Sequence, residues 1–422
     1  MSAQYICCKT QRHSGDFDAG TLIQGRLPEA GKELLARYAG QVQMVYLDPP
    51  FNTGKRFDMK VRVGEKGYKT GSPTVSLDAY DDRWESREEY LAMMREALVL
   101  ARGLLKKEGT IFLHIDSRMY AHLRLLMDEV FGESNFLNEI VWSYQTGGRA
   151  RNYFPRKHDT ILFYARSRSY YFNLKGVPIA RSEARSNHMK RGVDENGRGY
   201  RSIMSAGKEY RYYDDEPAYP GAVWDDISHL QQKDPQRTGY ETQKPVKLLE
   251  RIISCSTQEG DLVCDLFSGS GTTAVAAANL GRKFVCLDQS PVAIAVAGKR
   301  LSHTPGGKEQ RFAYAVEAPC GADDCRVEAE VFPAISSYTV RLVSFESEAA
   351  KEKGVTGFDA VDQWSAGFVQ GDVFRSCVVS ARSVATPQLK MMVEMPVCAG
   401  EPCVMIVDIF GNRRFYLPKR RY

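Results

Sequence analysis

Asp265-Leu266-Phe267-Ser268-Gly269-Ser270-Gly271-Thr272-Thr273-Ala274 decides the fold. A strand-length apolar run, Leu262 to Phe267, leads into a glycine-rich turn, and a helical stretch, Thr272 to Leu280, leaves it. The next strand, Lys283 to Leu287, ends at Asp288. Glycines let the backbone approach a ligand, the helix N-terminus favours an anionic group, and a later carboxylate binds ribose hydroxyls, so the pattern predicts a nucleoside-cofactor turn. The spacing G-x-G-x-x-A suits both NAD and S-adenosylmethionine. Asp265 tilts the choice, because a carboxylate there repels a pyrophosphate and suits an ammonium and a sulfonium.

Working outward, strands alternate with helices, which predicts a mostly parallel sheet covered on both faces. Val42 to Leu47 is the first clear strand, stopped by Asp48-Pro49-Pro50-Phe51. Asn52 to Arg83 is polar and aperiodic and reads as a long loop able to close over a site. Ser86 with Glu89 caps a helix over Tyr90 to Leu105, and Gly109 marks a turn into the strand Thr110 to Ile115. Met119 to Phe131 reads as a helix, Asn138 to Tyr144 and Thr160 to Ala165 as strands. The alternation breaks between Arg166 and Tyr240, resumes with the helix Val246 to Ser254 and closes with the helix Pro291 to Leu301. Beyond the glycine- and proline-bearing stretch His303 to Lys308, strand-like runs at Tyr338–Phe345, Phe374–Ser380, Leu389–Met395 and Val404–Phe410 predict a small β domain.

Asp48-Pro49-Pro50-Phe51 carries the second chemical signal. A carboxylate, two rigid prolines and an aromatic at the end of a strand build a pocket for a planar amine. Asp48 accepts one exocyclic N–H, the Pro49 carbonyl the other, and Phe51 stacks on the ring, an interaction of order ~1–3 kcal/mol. Drawing both hydrogens toward acceptors localises the nitrogen lone pair, and the nitrogen can then attack a methyl group in line. Positioning and electrostatics supply the rate without a covalent intermediate.

The chain has 422 residues, enough at roughly 150 per domain for two or three domains. With 43% hydrophobic and 26% charged residues it fits neither a disordered chain nor a membrane bundle. No apolar run nears the roughly 18 residues that span a bilayer, and the first ten residues lack a signal peptide's apolar core, so a cytoplasmic location is expected. The net charge of +5 hides a concentration: residues 140–215 hold 15 basic and 7 acidic side chains. The ten cysteines are too sparse for a secreted disulfide scaffold and read as reduced. The pairs Cys320/Cys325 and Cys398/Cys403 offer a zinc site at loose spacing, against which ordinary cysteines and no metal are expected.

At these residues the sequence resembles the β-class DNA amino-methyltransferases, in which the target-base motif precedes the cofactor motif. Asp48-Pro-Pro-Phe51 resembles their catalytic motif and Phe267-x-Gly269-x-Gly271 their cofactor motif. The likeness continues through Asn138-Glu-Ile-Val-Trp142, Lys157-His158-Asp159, Gly239-Tyr-Glu-Thr-Gln-Lys-Pro245 and Leu248-Leu-Glu-Arg-Ile252. The stretch Phe51-Asn52-Thr53-Gly54 is similar to type III modification subunits and their solitary relatives.

The resemblance implies an α/β fold with the Rossmann-like, mixed and mostly parallel sheet of a class I S-adenosylmethionine-dependent methyltransferase. It divides the chain into a catalytic domain at 1–165 and 240–303, a target-recognition insertion at 166–239 rich in Arg, Lys and Tyr, and a small β-rich C-terminal domain at 304–422. It implies methyl transfer to N6 of a flipped-out adenine, because relatives acting on cytosine N4 usually begin the motif with Ser. Cytosine-N4 methylation and a catalytically inactive DNA-binding protein stand as alternatives. Asp48, Pro49, Pro50 and Phe51 are the implied catalytic set. Asp265, Phe267, Gly269, Gly271, Thr272 and Asp288 would hold S-adenosylmethionine, with Asp288 on the ribose, and Gln243, Lys244 and Pro245 would help hold its methionine end. Double-stranded DNA is the implied partner, with room for a homodimer and a restriction subunit and no membrane. One departure is Gly25-Arg26, where relatives have Gly-Asp, which removes an acidic contact near the cofactor.

Overall fold

A computed structural model of the chain describes residues 3–13, 17–144, 150–179, 189–232, 234–302, 312–319 and 321–421. The N-terminal segment forms β1 (Gln4–Ile6), β2 (Thr10–His13) and β3 (Phe17–Gln24), then α1 (Leu27–Tyr38) and β4 (Val42–Leu47). A hairpin of β5 (Arg56–Arg62) and β6 (Thr74–Asp81), with α2 (Gly64–Thr70) between them, precedes α3 (Arg87–Leu104). Then come β7 (Leu105–Ile115), α4 (Tyr120–Phe131), β8 (Phe136–Ser143) and β9 (His158–Ala165). A separate three-stranded meander, β10 (Lys190–Val193), β11 (Gly199–Ser205) and β12 (Lys208–Tyr213), is followed by β13 (Val223–Trp224). The second half of the alternation is α5 (Val246–Ser256), β14 (Leu262–Asp265), α6 (Thr272–Asn279), β15 (Lys283–Asp288) and α7 (Pro291–Ser302), after which β16 (Phe312–Glu317) opens the C-terminal region.

The strands β3-β15-β14-β4-β7 run parallel in that spatial order, and β9 and β8 complete the layer with antiparallel pairings. This is the expected α/β arrangement. Every residue of β4 is buried because the strand faces two cores. Met44 and Tyr46 pack with Leu248, Ile252 and Ala274 from α5 and α6. Val45 and Leu47 pack with Leu34, Leu98 and Leu123 from α1, α3 and α4. A buried parallel strand reads as a continuous apolar run for this reason. Ser86 caps α3 by accepting from the Glu89 amide at 3.1 Å, as the sequence predicts.

Three expectations are corrected. Gly109 is not a turn into a new strand; it lies within β7, where the register shifts against β4, and a Cβ there would fall 2.9 Å from Leu105. Residues 52–83 are not an open loop able to close over the site. Their hairpin is clamped: the Tyr68 hydroxyl donates to Asp362 at 2.6 Å, and Lys299 of α7 donates to Asp362 at 2.8 and 3.0 Å and to the Tyr68 hydroxyl at 2.7 Å. Gly64, with φ of +60°, passes so close to Asp359 that a side chain would clash. Cys7 is disulfide-bonded rather than reduced. It lies between β1 and β2 among C-terminal strands, a proximity that sequence spacing does not announce.

The strands beyond residue 304 divide between two sheets. The main sheet continues from β3 through β16 and β2 to the strands 373–381, 361–370, 401–408 and 413–417, and ends on β1. A four-stranded sheet of residues 325–333, 337–347, 392–396 and 419–420 packs over it, burying Phe345, Met395, Trp364 and Ile406. The paired-cysteine zinc site does not assemble among the described residues. Cys325 donates to Asp324, Cys398 lies beside Cys377 and buried Cys403 beside Cys8, while Cys320 lies outside the described residues. Among the described residues, no helix is long and apolar enough to cross a membrane.

Candidate active site

The strands β15, β14 and β4 lie side by side, so the segments leaving their carboxyl ends meet. They enclose a cavity of about 630 Å³ lined by Asp48, Pro49, Pro50 and Phe51 on one side and by Asp265, Phe267, Gly269, Thr272 and Asp288 on the other. Gln243 and Lys244 border the same space; Gly271 and Pro245 do not. Ligands of parallel α/β sheets bind outside the carboxyl ends of the strands.

The glycine turn is braced from every side. Asp265 is buried, its carboxylate accepting from the Phe267 amide at 2.9 Å and from the Thr273 hydroxyl, and burial pushes its pKa up to about 7. Asp288 accepts from the Gly269 amide and the Ser290 amide, each at 2.8 Å; its pKa is raised by burial. Gly269 has φ of +49° and sits under the Tyr240 ring, 3.4 Å from where a Cβ would be. Gly271 is required by packing: with φ of +76° it caps α6, and a Cβ would overlap Ala297 of α7. Behind the turn the half-buried Arg300 guanidinium donates to the Ser270 carbonyl at 2.8 Å and to the Thr272 hydroxyl at 3.0 Å. Thr272 in turn donates to the Lys244 carbonyl at 3.2 Å. Ser268 keeps a buried hydroxyl with no partner beside the cavity.

The other half is set by a residue that the sequence reading passes over. Asp82 is fully buried, and its carboxylate accepts from the amides of Phe51 (3.2 Å), Asn52 (2.9 Å) and Thr53 (2.8 Å), the Thr53 hydroxyl (2.7 Å) and the Trp84 indole (3.2 Å). The chain after the prolines therefore turns back on one anion, with Asn52 held at φ of +54°. The Tyr90 hydroxyl donates to the Pro50 carbonyl at 2.8 Å. The only local hint is a carboxylate between aromatics in Tyr80-Asp81-Asp82-Arg83-Trp84; Asp81 points outward to Arg83 and Arg56.

Lys244 donates to both Asp48 oxygens, at 2.9 and 2.7 Å, and its ammonium lies 5.2 Å from the Phe51 ring centroid. The structure thus places Lys244 against the Asp48 wall of the shared cavity, while the resemblance implies a role at the cofactor's methionine end. The Gln243 amide is taken up locally, accepting from Thr238 at 3.0 and 2.8 Å and donating to the Gln236 carbonyl at 2.7 Å. Pro245 starts α5. Gly25 and Arg26 border the cavity beside Asp288.

Under Phe51 runs a second polar chain. The Phe51 ring stacks over His114 with centroids 6.1 Å apart; His114 Nδ1 is 2.8 Å from the Tyr46 hydroxyl and Nε2 is 3.1 Å from Asp159. Tyr144 donates to the other Asp159 oxygen at 3.2 Å. Burial alone would raise the Asp159 pKa, but its bond to His114 and the charges of His114 and Lys244 outweigh that, and the pKa falls. Tyr46, Tyr144 and Asp159 all border the cavity.

The DNA methylase family, with N6- and N4-acting members in its name, matches residues 42–299. Type II methyltransferase M.EcaI of Enterobacter cloacae is 27% identical over 308 residues, covering 62% of this chain and 65% of its own length. DNA adenine methyltransferase YhdJ of Escherichia coli K12 is 26% identical over 286 residues, 67% of this chain and 83% of its own. The type III EcoP15I Mod subunit of Escherichia coli is 26% identical over 223 residues, 48% of this chain and 34% of its own. The chain thus spans less than two thirds of the length of M.EcaI. The family match begins at the first residue of β4 and ends within α7, taking in both walls of the cavity, and the chain belongs to the N6/N4 DNA methylase family.

Proposed function

We propose that this chain transfers a methyl group from S-adenosylmethionine to N6 of an adenine turned out of duplex DNA. The observation that carries this reading is the single cavity shared by Asp48-Pro49-Pro50-Phe51 and the Asp265–Asp288 turn. Names of relatives such as the adenine methyltransferase YhdJ support adenine over cytosine.

The residues present fit this cofactor. The buried Asp265 and half-buried Asp288 carboxylates suit a ligand bearing an ammonium and a sulfonium, the unpartnered Ser268 hydroxyl offers a polar contact, and Gly269 leaves room beside Tyr240. Asp288 would hold the ribose, and Asp265, Phe267 and Ser268 the methionine end. When bound, S-adenosylmethionine supplies an electrophilic methyl on sulfur.

The chain's own residues prepare the nucleophile. Asp48 holds one amino hydrogen while Lys244 compensates its charge, since a carboxylate has about four lone-pair sites to share. Tyr90 occupies the Pro50 carbonyl, which leaves the Pro49 carbonyl for the second hydrogen. Phe51, fixed by Asp82 and floored by His114, stacks on the base. Asp48 is then placed to take the proton that the methylated nitrogen sheds. The basic insertion at 166–239 would contact DNA, and the likeness to a Mod subunit is the ground for proposing a restriction subunit as a further partner.

Base-modification sequencing of DNA from cells expressing the protein tests the reading: methyl-adenine in one sequence context is expected, and Asp48→Ala should abolish it while DNA binding persists. Methyl-cytosine, or no methylation, overturns the adenine assignment. Exchanging residues 166–239 for those of a relative should move the methylated site; an unchanged site removes that role from the insertion.

A further inference from the structure

β8 and β9 form a hairpin whose two ends reach the cavity: Ser143 pairs with His158, the Tyr144 amide donates to the Lys157 carbonyl at 2.9 Å, and Tyr144 and Asp159 border the space where the base would sit. The segment before β9, Arg151-Asn152-Tyr153-Phe154-Pro155-Arg156, is exposed throughout. Its aromatics are the anomaly. Phe154 is 95% exposed and Tyr153 66%, with the Arg156 guanidinium 5.6 Å from the Tyr153 ring centroid. The segment runs directly into Lys157, His158 and the cavity residue Asp159, which places it at the rim.

A phenyl ring left in water gains nothing there, and two neighbouring exposed rings offer a partner an apolar stacking surface. The occupant is set by charge and place. Arg151, Arg156 and Lys157 accompany the rings with no acidic residue between 150 and 158, which suits a polyanion. The segment adjoins the pocket that takes a base out of a duplex, and removing that base leaves a gap of one stacking step. Planar or apolar wedges fill such gaps in distorted DNA.

We propose that Phe154 enters the base stack of duplex DNA at the position vacated by the target nucleotide, with Arg151 and Arg156 on the flanking phosphates. This rests on the methyltransferase reading and names the residue that holds its substrate open. Proline at 155 stiffens the approach of the ring.

The test compares single-turnover methylation by wild type, Phe154→Ala and Phe154→Leu on two duplexes carrying the recognised site, one fully paired and one with an abasic position opposite the target base. On paired DNA Phe154→Ala should slow methylation about 10- to 100-fold, in line with the cost of extruding a paired base, and Phe154→Leu should retain most of the rate. On the duplex with the abasic position all three should agree within about threefold, since little pairing remains to be overcome. Equal slowing of Phe154→Ala on both duplexes, or no slowing on either, overturns the wedge. A wild type inactive on both duplexes overturns the methyltransferase reading itself, and the wedge with it.

Discussion

The Lys244 ammonium lies 2.9 and 2.7 Å from the two carboxylate oxygens of Asp48, two partly buried side chains from segments far apart along the chain. A cation there neutralises the acceptor without blocking it, and its departure leaves a half-buried charge uncompensated.

Lys244→Ala should therefore act on the base half. Its turnover should fall roughly 100-fold while cofactor affinity stays within about threefold of wild type, as for loss of a group that organises the transition state. Turnover under saturating DNA and cofactor binding by calorimetry read the two quantities. A large loss of cofactor affinity with turnover preserved would return Lys244 to the methionine end.

Asp82 touches the reaction only through the backbone it holds. Replacing it with Ala frees three consecutive amides after the prolines, and a misplaced ring and carbonyl cost of order 100-fold in turnover. Asp82→Asn keeps one acceptor oxygen and should recover part of that loss. Circular dichroism and thermal midpoints accompany the kinetics; equal turnover for both variants and wild type removes the positioning role.

Protonation of Asp265 links the site to stability. Its pKa in the fold, about 7, exceeds the roughly 3.9 of an unfolded Asp, so between those values the folded chain keeps a proton that the unfolded chain releases. The resulting stabilisation is complete below about pH 4 and is lost as pH rises through 7. Asp265→Asn should flatten the fall in thermal midpoint between pH 5 and 8 in the ligand-free protein. A variant with the wild-type slope would show that other groups set it.

Residues whose neighbours are close in sequence were the readable ones. Val42–Leu47 and the turn from Asp265 to Ala274 announce themselves because an apolar run of strand length and a glycine-rich helix start are local patterns. Asp48 and Phe51 share that advantage. Asp82, His114 and Arg300 act through partners brought near only by folding, and nothing in Asp81-Asp82 says which carboxylate turns inward. The local partners of Gln243 were equally hidden: it stands in the motif and borders the cavity, and its amide also bonds Thr238 and Gln236. The strand Thr10–His13 was missed because Thr-Gln-Arg-His is polar, and only its sheet neighbours make it a strand.

That same strand is bonded on one edge to Phe312–Glu317 and on the other to Val373–Ala381. During synthesis its first neighbour emerges about three hundred residues after it, at roughly 5–20 residues per second. A growing polypeptide can complete the Asp48–Asp288 crevice well before its own opening residues find their place. Ribosome-bound intermediates would thus carry the reactive centre ahead of the seam that locks both halves of the molecule together.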